Sequence, residues 1–395
     1  MTIGTSNSTT LSFIKESAAG TTPSSPSMQL LRFTGESLES TNTTTTSEEI
    51  RSDRATSDLV LTDQSNSGEI NVELTATSFD ALMEGALFTD ATWTSTSITA
   101  TTIAVTATGF TDSGNGFISG GLQVGQTFSI SGTGNAFIDL VKYRVVTLAA
   151  GVITTYPVPA ATQSAGNSFV IKGSTIKSGK TDHSYTIQKS HTGLATTVYQ
   201  NFRGARVSTM SQDLSVGSLA TMAFGFTALN GQTTETQISG LSNTAVTTTP
   251  VMSTVGNVSQ ITAVGTGVTT AIKFTTLSFS YDNALRELKS IGTLGSVDVR
   301  AGTIMATATI NPYFEDIQLL TAFNANTSFH LSWIVSDTVL GVGGNSYVFS
   351  FPNVKFTAQS LAAGSKDADM IINGTVQAIL DPASLTTMRI DRFTA

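Results

Sequence analysis

Glu69 and Glu73 stand on either side of Asn71 in GEINVELT and are the first candidates for chemistry. If this stretch is a strand, all three share one face. Paired carboxylates on one surface are the equipment of glycoside hydrolysis. The same spacing suits a plain solvated strand face, which the neighbouring residues favour. A third reading is a face lining something that must not hold an anion. Asp213, Asp367 and Asp369, beside strand starts, leave the same choice. Gly173 to Thr181, GSTIKSGKT, has the look of a phosphate-binding loop but has five residues between Gly173 and Gly179, where the motif has four. A strand follows it, not a helix whose N-terminus would hold phosphate. A surface turn is expected there. His183, His191 and His330 form no metal-like pair. His183 and His191 are expected at solvent-facing strand edges, and His330 beside the core. There is no G-x-S-x-G, and cysteine is absent, which excludes disulfides and thiolate metal sites. The residues therefore predict no catalytic group, no metal and no cofactor.

The elements that must position these groups repeat. Ile70, Val72 and Leu74 alternate with Glu69, Asn71 and Glu73, the period of a half-buried strand. Ser78 is placed to cap a helix whose apolar side is Phe79, Leu82, Met83, Ala86 and Leu87. Gly302 to Phe323 reads as the same unit. Ile304, Ala306, Ala308 and Ile310 alternate with Met305, Thr307 and Thr309, and Asn311 is expected to cap a helix starting at Pro312, with Tyr313, Ile317 and Leu320 on one face. A strand running into a short helix, twice, predicts one fold in two copies.

Composition agrees with a sheet-rich chain. Of 395 residues, 39% are hydrophobic and only 12% charged, with 21 Phe and 7 Tyr among many Thr, Ser and Gly. The net charge of −8 argues against nucleic-acid binding, which needs Lys and Arg. No apolar run is long enough to span a bilayer, and MTIGTSNSTTLSFIKES does not read as a signal peptide.

In chain order, 1–27 reads as a Ser/Thr-rich arm without a core of its own. MQLLRF (28–33) is a strand candidate, and 36–67 is a long polar loop carrying Glu48, Glu49, Arg51, Asp53 and Arg54. Residues 28–91 and 179–232 form the first copy, with Asn230-Gly231 as a turn signal. Residues 92–178 read as an inserted small all-β module. Residues 233–272 read as a linker and 273–395 as the second copy, in which LSFSYDN (277–283) matches LRFTGES (31–37). Tyr347 is matched to Tyr185, Phe351 to Phe202 and Lys355 to Arg206. A short hairpin at 336–344 takes the place of the module. The fold class expected is mainly β, a β-sandwich or barrel with flanking short helices, duplicated.

The strings SAAGTTPSSPSMQLLRFTGESLESTNTTTTSEEIRSDRATSDLV and SGEINVELTATSFDALMEGALF resemble the N-terminal half of siphophage tail tube proteins. SFSYDNALRELKSIGTLGSVDVRAGTIMATATINPYFED and the closing QAILDPAS…TMRIDRF resemble the C-terminal half. The resemblance excepts 92–178 and the stretch near 240–270. It implies a fold whose inner sheets join those of neighbours into a continuous barrel, in rings stacked as a long non-contractile tail. The implied role is structural and non-enzymatic, in a virion tail assembled in the host cytoplasm. The implied partners are further copies of the chain, a tape-measure protein, tail-tip and tail-terminator proteins, and DNA in transit without specific binding. Two copies per chain predict trimeric rings of pseudo-six-fold shape. Glu69, Asn71, Glu73, Thr307 and Thr309 are then expected to face the lumen. The arm and the 36–67 loop are expected to reach a neighbouring ring, poorly ordered in the free protein. Two rivals share the composition: a surface adhesin, which predicts a signal peptide or anchoring tail, and a β-sandwich hydrolase, which predicts a Trp-lined cleft where only Trp93 and Trp333 exist.

Overall fold

β-Branched and aromatic residues at alternate positions make strands, and strands dominate, at 53% of the chain against 7% helix. The computed structural model describes residues 3–139, 141–265, 268, 272–338, 344–361, 366–367 and 369–394. The hairpin expected at 336–344 falls largely outside them.

The first copy opens with β1 (Thr9–Lys15) and β2 (Ser27–Leu30). β3 (Gly35–Glu36) and β4 (Glu39–Thr46) then run antiparallel to β5 (Leu59–Glu73). The helix α1 (Asp80–Ala86) follows. The inserted module holds β6 (Thr94–Ala100), β7 (Ile103–Thr106), β8 (Gly109–Asp112), α2 (Gly116–Ser119), β9 (Thr127–Ser131), α3 (Ala136–Asp139), β10 (Lys142–Leu148), β11 (Val152–Tyr156) and β12 (Phe169–Lys177). It has its own core around Phe110, Phe128 and Tyr143. The first copy resumes with β13 (Tyr185–His191), β14 (Val198–Ser215), β15 (Thr221–Ala228) and β16 (Asn230–Thr234). Then come β17 (Ser242–Thr244) and β18 (Val258–Gly265), and after them β19 (Phe274–Asp282), β20 (Arg286–Lys289), β21 (Ser296–Arg300) and β22 (Met305–Pro312). The helix α4 (Gln318–Asn324), β23 (Phe329–Ser336), β24 (Ser346–Leu361), β25 (Ile372–Ala378) and β26 (Arg389–Phe393) complete the chain.

The pairings repeat. In the first copy β5 pairs with β15, β15 with the second half of β14, and the first half of β14 with β13 and β16. In the second, β22 pairs with β25, β25 with the second half of β24, and the first half of β24 with β23 and β26. Even the irregularity recurs. Arg206, Val207 and Thr209 pair with Thr227, Phe226 and Gly225, skipping Ser208. Lys355, Phe356 and Ala358 pair with Gln377, Val376 and Thr375, skipping Thr357. An extra residue at one place in two strands is a built-in bend, not chance.

This register corrects the sequence alignment. Glu69 pairs with Gly225 and Thr309 with Thr375, so Glu69 and Ile70 are the equivalents of Thr309 and Ile310. Gly68 therefore corresponds to Ala308 rather than to Gly302. Likewise Glu36, opposite Ile70, corresponds to Leu277, opposite Ile310. The two ends are also redrawn. Residues 1–27 are no coreless arm: β1 pairs along its whole length with β13 and buries Leu11 and Phe13. Residues 233–272 include β18, which lies against β23 as β1 lies against β13. Each copy thus begins one strand earlier than expected. Asn230-Gly231 is the start of β16 and not a hairpin turn.

Both helix caps differ too. Phe79, not Ser78, precedes α1, and the Ser78 hydroxyl is engaged by those of Thr75 and Thr247. Asn311 and Pro312 finish β22, with Asn311 Nδ2 donating to Thr276 Oγ1 at 2.7 Å. The helix starts later, burying Leu319 and Ala322 while Tyr313 and Ile317 stay exposed. GSTIKSGKT is not a surface turn either: Gly173 to Lys177 lie in β12, with Ser174, Thr175 and Ile176 buried.

One large core runs through both copies. They meet where β14 pairs with β19, from Thr209 opposite Asp282 to Ser215 opposite Thr276. Trp333 crosses this seam, donating from Nε1 to Gln212 Oε1 at 2.9 Å and packing on Phe279 and Phe349. The inserted module extends the sheet of the second copy through β12 and β26 and rests on that sheet's outer side, where Ile334, Val348 and Phe393 cluster. That covers both faces of β23, all of whose residues are buried.

The joint holds a buried Asp391, whose Oδ2 accepts from Thr127 N at 2.9 Å. Burial pushes its carboxyl up to about 6, against the pull of nearby Arg389. The folded state then holds this proton more tightly than the unfolded chain. Its stabilisation is complete below about pH 4 and lost as pH rises through about 6, on the order of 2–3 kcal/mol. Melting Asp391→Asn beside the parent protein from pH 4 to 7 should show the variant gaining relative stability by about that amount.

Candidate functional site

The line of β3 and β4, β5, β15, the second half of β14, β19, β22, β25 and the second half of β24 form one continuous sheet, termed the inner sheet. Its core side is apolar. Its other side carries Glu69, Asn71 and Glu73 on β5, with Glu69 and Asn71 exposed and Glu73 half-buried. Thr309 is exposed and Thr307 half-buried on β22. All five named residues therefore lie on the solvent side of the same sheet. Glu69, Asn71, Ser211, Asp213 and Thr221 share one shallow depression. Cross-strand partners lie on one face. Ser278 and Ser280 of β19 and Asn373, Thr375 and Gln377 of β25 accordingly extend the polar surface. These were missed in the sequence, although the alternation in LSFSYDN and INGTVQA marks them.

The cation Arg206, opposite Thr227 at one end of this face, is buried and neutralised. Its Nε and Nη2 donate to Asp182 at 2.6–2.9 Å, and Nη2 reaches Asp298 at 3.2 Å.

The 36–67 segment is a hairpin of β4 and β5, not a loop. Both its faces are open to solvent, every residue of β4 being exposed, which is why its sequence lacks alternation. Glu48, Glu49, Arg51, Asp53 and Arg54 form its exposed tip. Within the chain, Arg51 Nε and Nη2 grip Asp53 at 3.0 and 2.6 Å. Ile50 beside them is fully exposed. In the second copy β20 and β21 form the equivalent hairpin, with Ile291 fully exposed and Leu294 half so. Lys289 of that hairpin pairs with Asp63 of the first, holding the two side by side.

Of the histidines, His330 is buried as expected, and its pKa is driven well down by burial. His183 is buried too, against expectation, bonding Thr89 O through Nε2 at 2.9 Å. His191 faces Thr9 Oγ1 at 3.1 Å. Among the described residues no cluster of His, Asp and Glu could hold a metal, and no helix is long and apolar enough to cross a membrane.

A broad polar sheet, two hairpins with Ile50 and Ile291 exposed at their tips and, among the described residues, no strand beyond β4 or beyond the second half of β24 suit a structural β-protein that builds by addition of copies. Comparison of the sequence with known families agrees. The family described as phage tail tube protein matches residues 6–378, so the chain belongs to it. No curated protein matches the chain. Membership of that family makes the chain a structural component of a virion tail that self-assembles into a tube.

Proposed function

We propose that three chains form a ring, and that stacked rings make the tube of a long non-contractile tail. The observation that carries this is the seam: two copies of one fold already joined edge to edge, each giving four strands to one inner sheet. Three such chains supply six equivalent positions. A barrel of about 24 strands at the usual spacing and tilt is about 50 Å across between backbones, wide enough for a protein filament or a DNA duplex. Glu69, Asn71, Glu73, Thr307 and Thr309 line its bore, where acids and neutral polar groups let a polyanion pass without braking. The tube encloses a tape-measure protein, meets tail-tip and terminator proteins at its ends and conducts DNA, with no catalysis. It assembles in the host cytoplasm. The inserted module, resting on the side of the second copy away from the inner sheet, decorates the outside.

Electron microscopy with native mass measurement of the purified protein tests this. Hollow rings or tubes of three chains per layer support it; six chains per ring, or monomers that cleave glycans, refute it.

The hairpin tips reach the adjacent ring, where Ile50 and Ile291 find cover. Replacing 48–57 with Asn-Gly is expected to leave rings intact while tubes disappear from sedimentation and micrographs. Tubes of ordinary length from that variant would remove the hairpin from ring stacking.

A further inference from the structure

The seam inside the chain also specifies the joint between chains, granted that the chain is a ring former. At the seam, the second half of β14 pairs with β15 on one side and with β19 on the other. Its equivalent, the second half of β24, pairs with β25 and, among the described residues, meets no strand on its other side. The equivalent of β19 is the line of β3 and β4, which pairs with β5 and likewise has a free edge. One open edge thus stands at each end of the inner sheet, and the two are complementary, because their equivalents already pair within the chain. The register follows. Thr209 opposite Asp282, Met210 opposite Tyr281 and Ser211 opposite Ser280 become Ala358 opposite Thr41, Gln359 opposite Ser40 and Ser360 opposite Glu39.

We infer that β24 of one chain adds antiparallel to β4 of the next in this register, Ser360 facing Glu39, and that the partner at this edge is a second copy of the chain. Two further observations fit. Both amide atoms of Gln359 are shielded from solvent yet bond to nothing within the chain, and the incoming strand supplies Ser40 opposite them. At the inner seam Arg206 of the first copy reaches Asp298 on the hairpin of the second. Lys355 takes the place of Arg206, and the neighbour's β4–β5 hairpin, which carries Asp58, takes the place of the one bearing Asp298.

The absence of native cysteine makes disulfide trapping clean. The full-length chain with Glu39→Cys and Ser360→Cys, oxidised after assembly, is expected to give covalent dimers and a closed trimer, with no larger band. Opposed strand residues lie within disulfide reach. Thr41→Cys with Ser360→Cys, two residues out of register, should cross-link at least tenfold less. Each single-cysteine chain should melt as the parent does, since all three sites are exposed. Three-chain rings that fail to cross-link at Glu39 and Ser360, or that cross-link equally out of register, overturn this joint and leave the ring standing. A ladder ending at six chains, or no ring at all, removes the ring reading and the joint with it.

Discussion

Replacing Trp333 with alanine is expected to cost about 3–5 kcal/mol of unfolding free energy, the range for emptying a large aromatic site in a packed core. Trp333 is almost wholly buried and stacks at 17° on Phe349, 5.7 Å between ring centres. It also touches Phe279 and Phe351, so three rings from β19 and β24 lose a common neighbour. The indole leaves a second deficit behind. Gln212 Oε1 accepts its Nε1–H, and Gln212 Nε2 already has no partner, so the alanine variant strands a whole buried amide on β14. Because β14 belongs to one copy and the other strands to the second, the damage falls on the seam. Denaturant melts should shift both copies together. Trp333→Phe keeps the ring and loses the hydrogen bond, and should fall between. A shift under 1 kcal/mol for the alanine variant would mean that the seam does not depend on this cluster.

Glu69→Lys with Asn71→Lys is expected to leave rings and tubes intact while turning the passage adhesive. Both positions are exposed on the sheet's polar face, so folding should change little. Each ring then gains several cations facing any polyanion inside. Every phosphate they neutralise steepens the fall of affinity with salt by about 0.9 in log-log slope. Parent tubes should retain no duplex DNA at 50 mM salt; the variant should retain it there and release it as salt rises to several hundred millimolar. Phage carrying the variant should adsorb normally and deliver DNA slowly. Lys172→Glu on the inserted module is the control, since it alters charge away from both the sheet face and the hairpin tips. DNA retention equal to that of the parent would place residues 69 and 71 away from the bore.

Much of this architecture is legible in the sequence wherever a strand has one wet face and one dry face. Ile70, Val72 and Leu74 against Glu69, Asn71 and Glu73 is such a case, and so is Ala306, Ala308 and Ile310 against Thr307 and Thr309. Duplication is legible for the same reason. Registration is not, because alternate positions repeat every two residues and a slip by an even number keeps every face correct. That is how Gly68 was matched to Gly302 when Ala308 is its equivalent. The 36–67 hairpin was invisible because both of its faces are wet, and a two-sided polar strand has no period to read. β18 failed differently: partly buried along most of its length, its Thr, Ser and Val pattern resembles that of a connector. Ser78 and Asn311 have the right side chains for caps, but tertiary neighbours claim both.

The seam between β14 and β19 closes when a single polypeptide folds, so in the proposed three-chain ring half the lateral joints would exist before any collision. A tether of this kind replaces dilution by a local concentration in the millimolar range. Ring closure then depends on the third power of protein concentration, where six separate subunits would need the sixth. Assembly can proceed at lower supply and with fewer dead-end fragments. In the proposed three-chain ring the covalent link would also fix which kind of unit stands next to which, so an appendage carried by one of them would recur three times around the circumference.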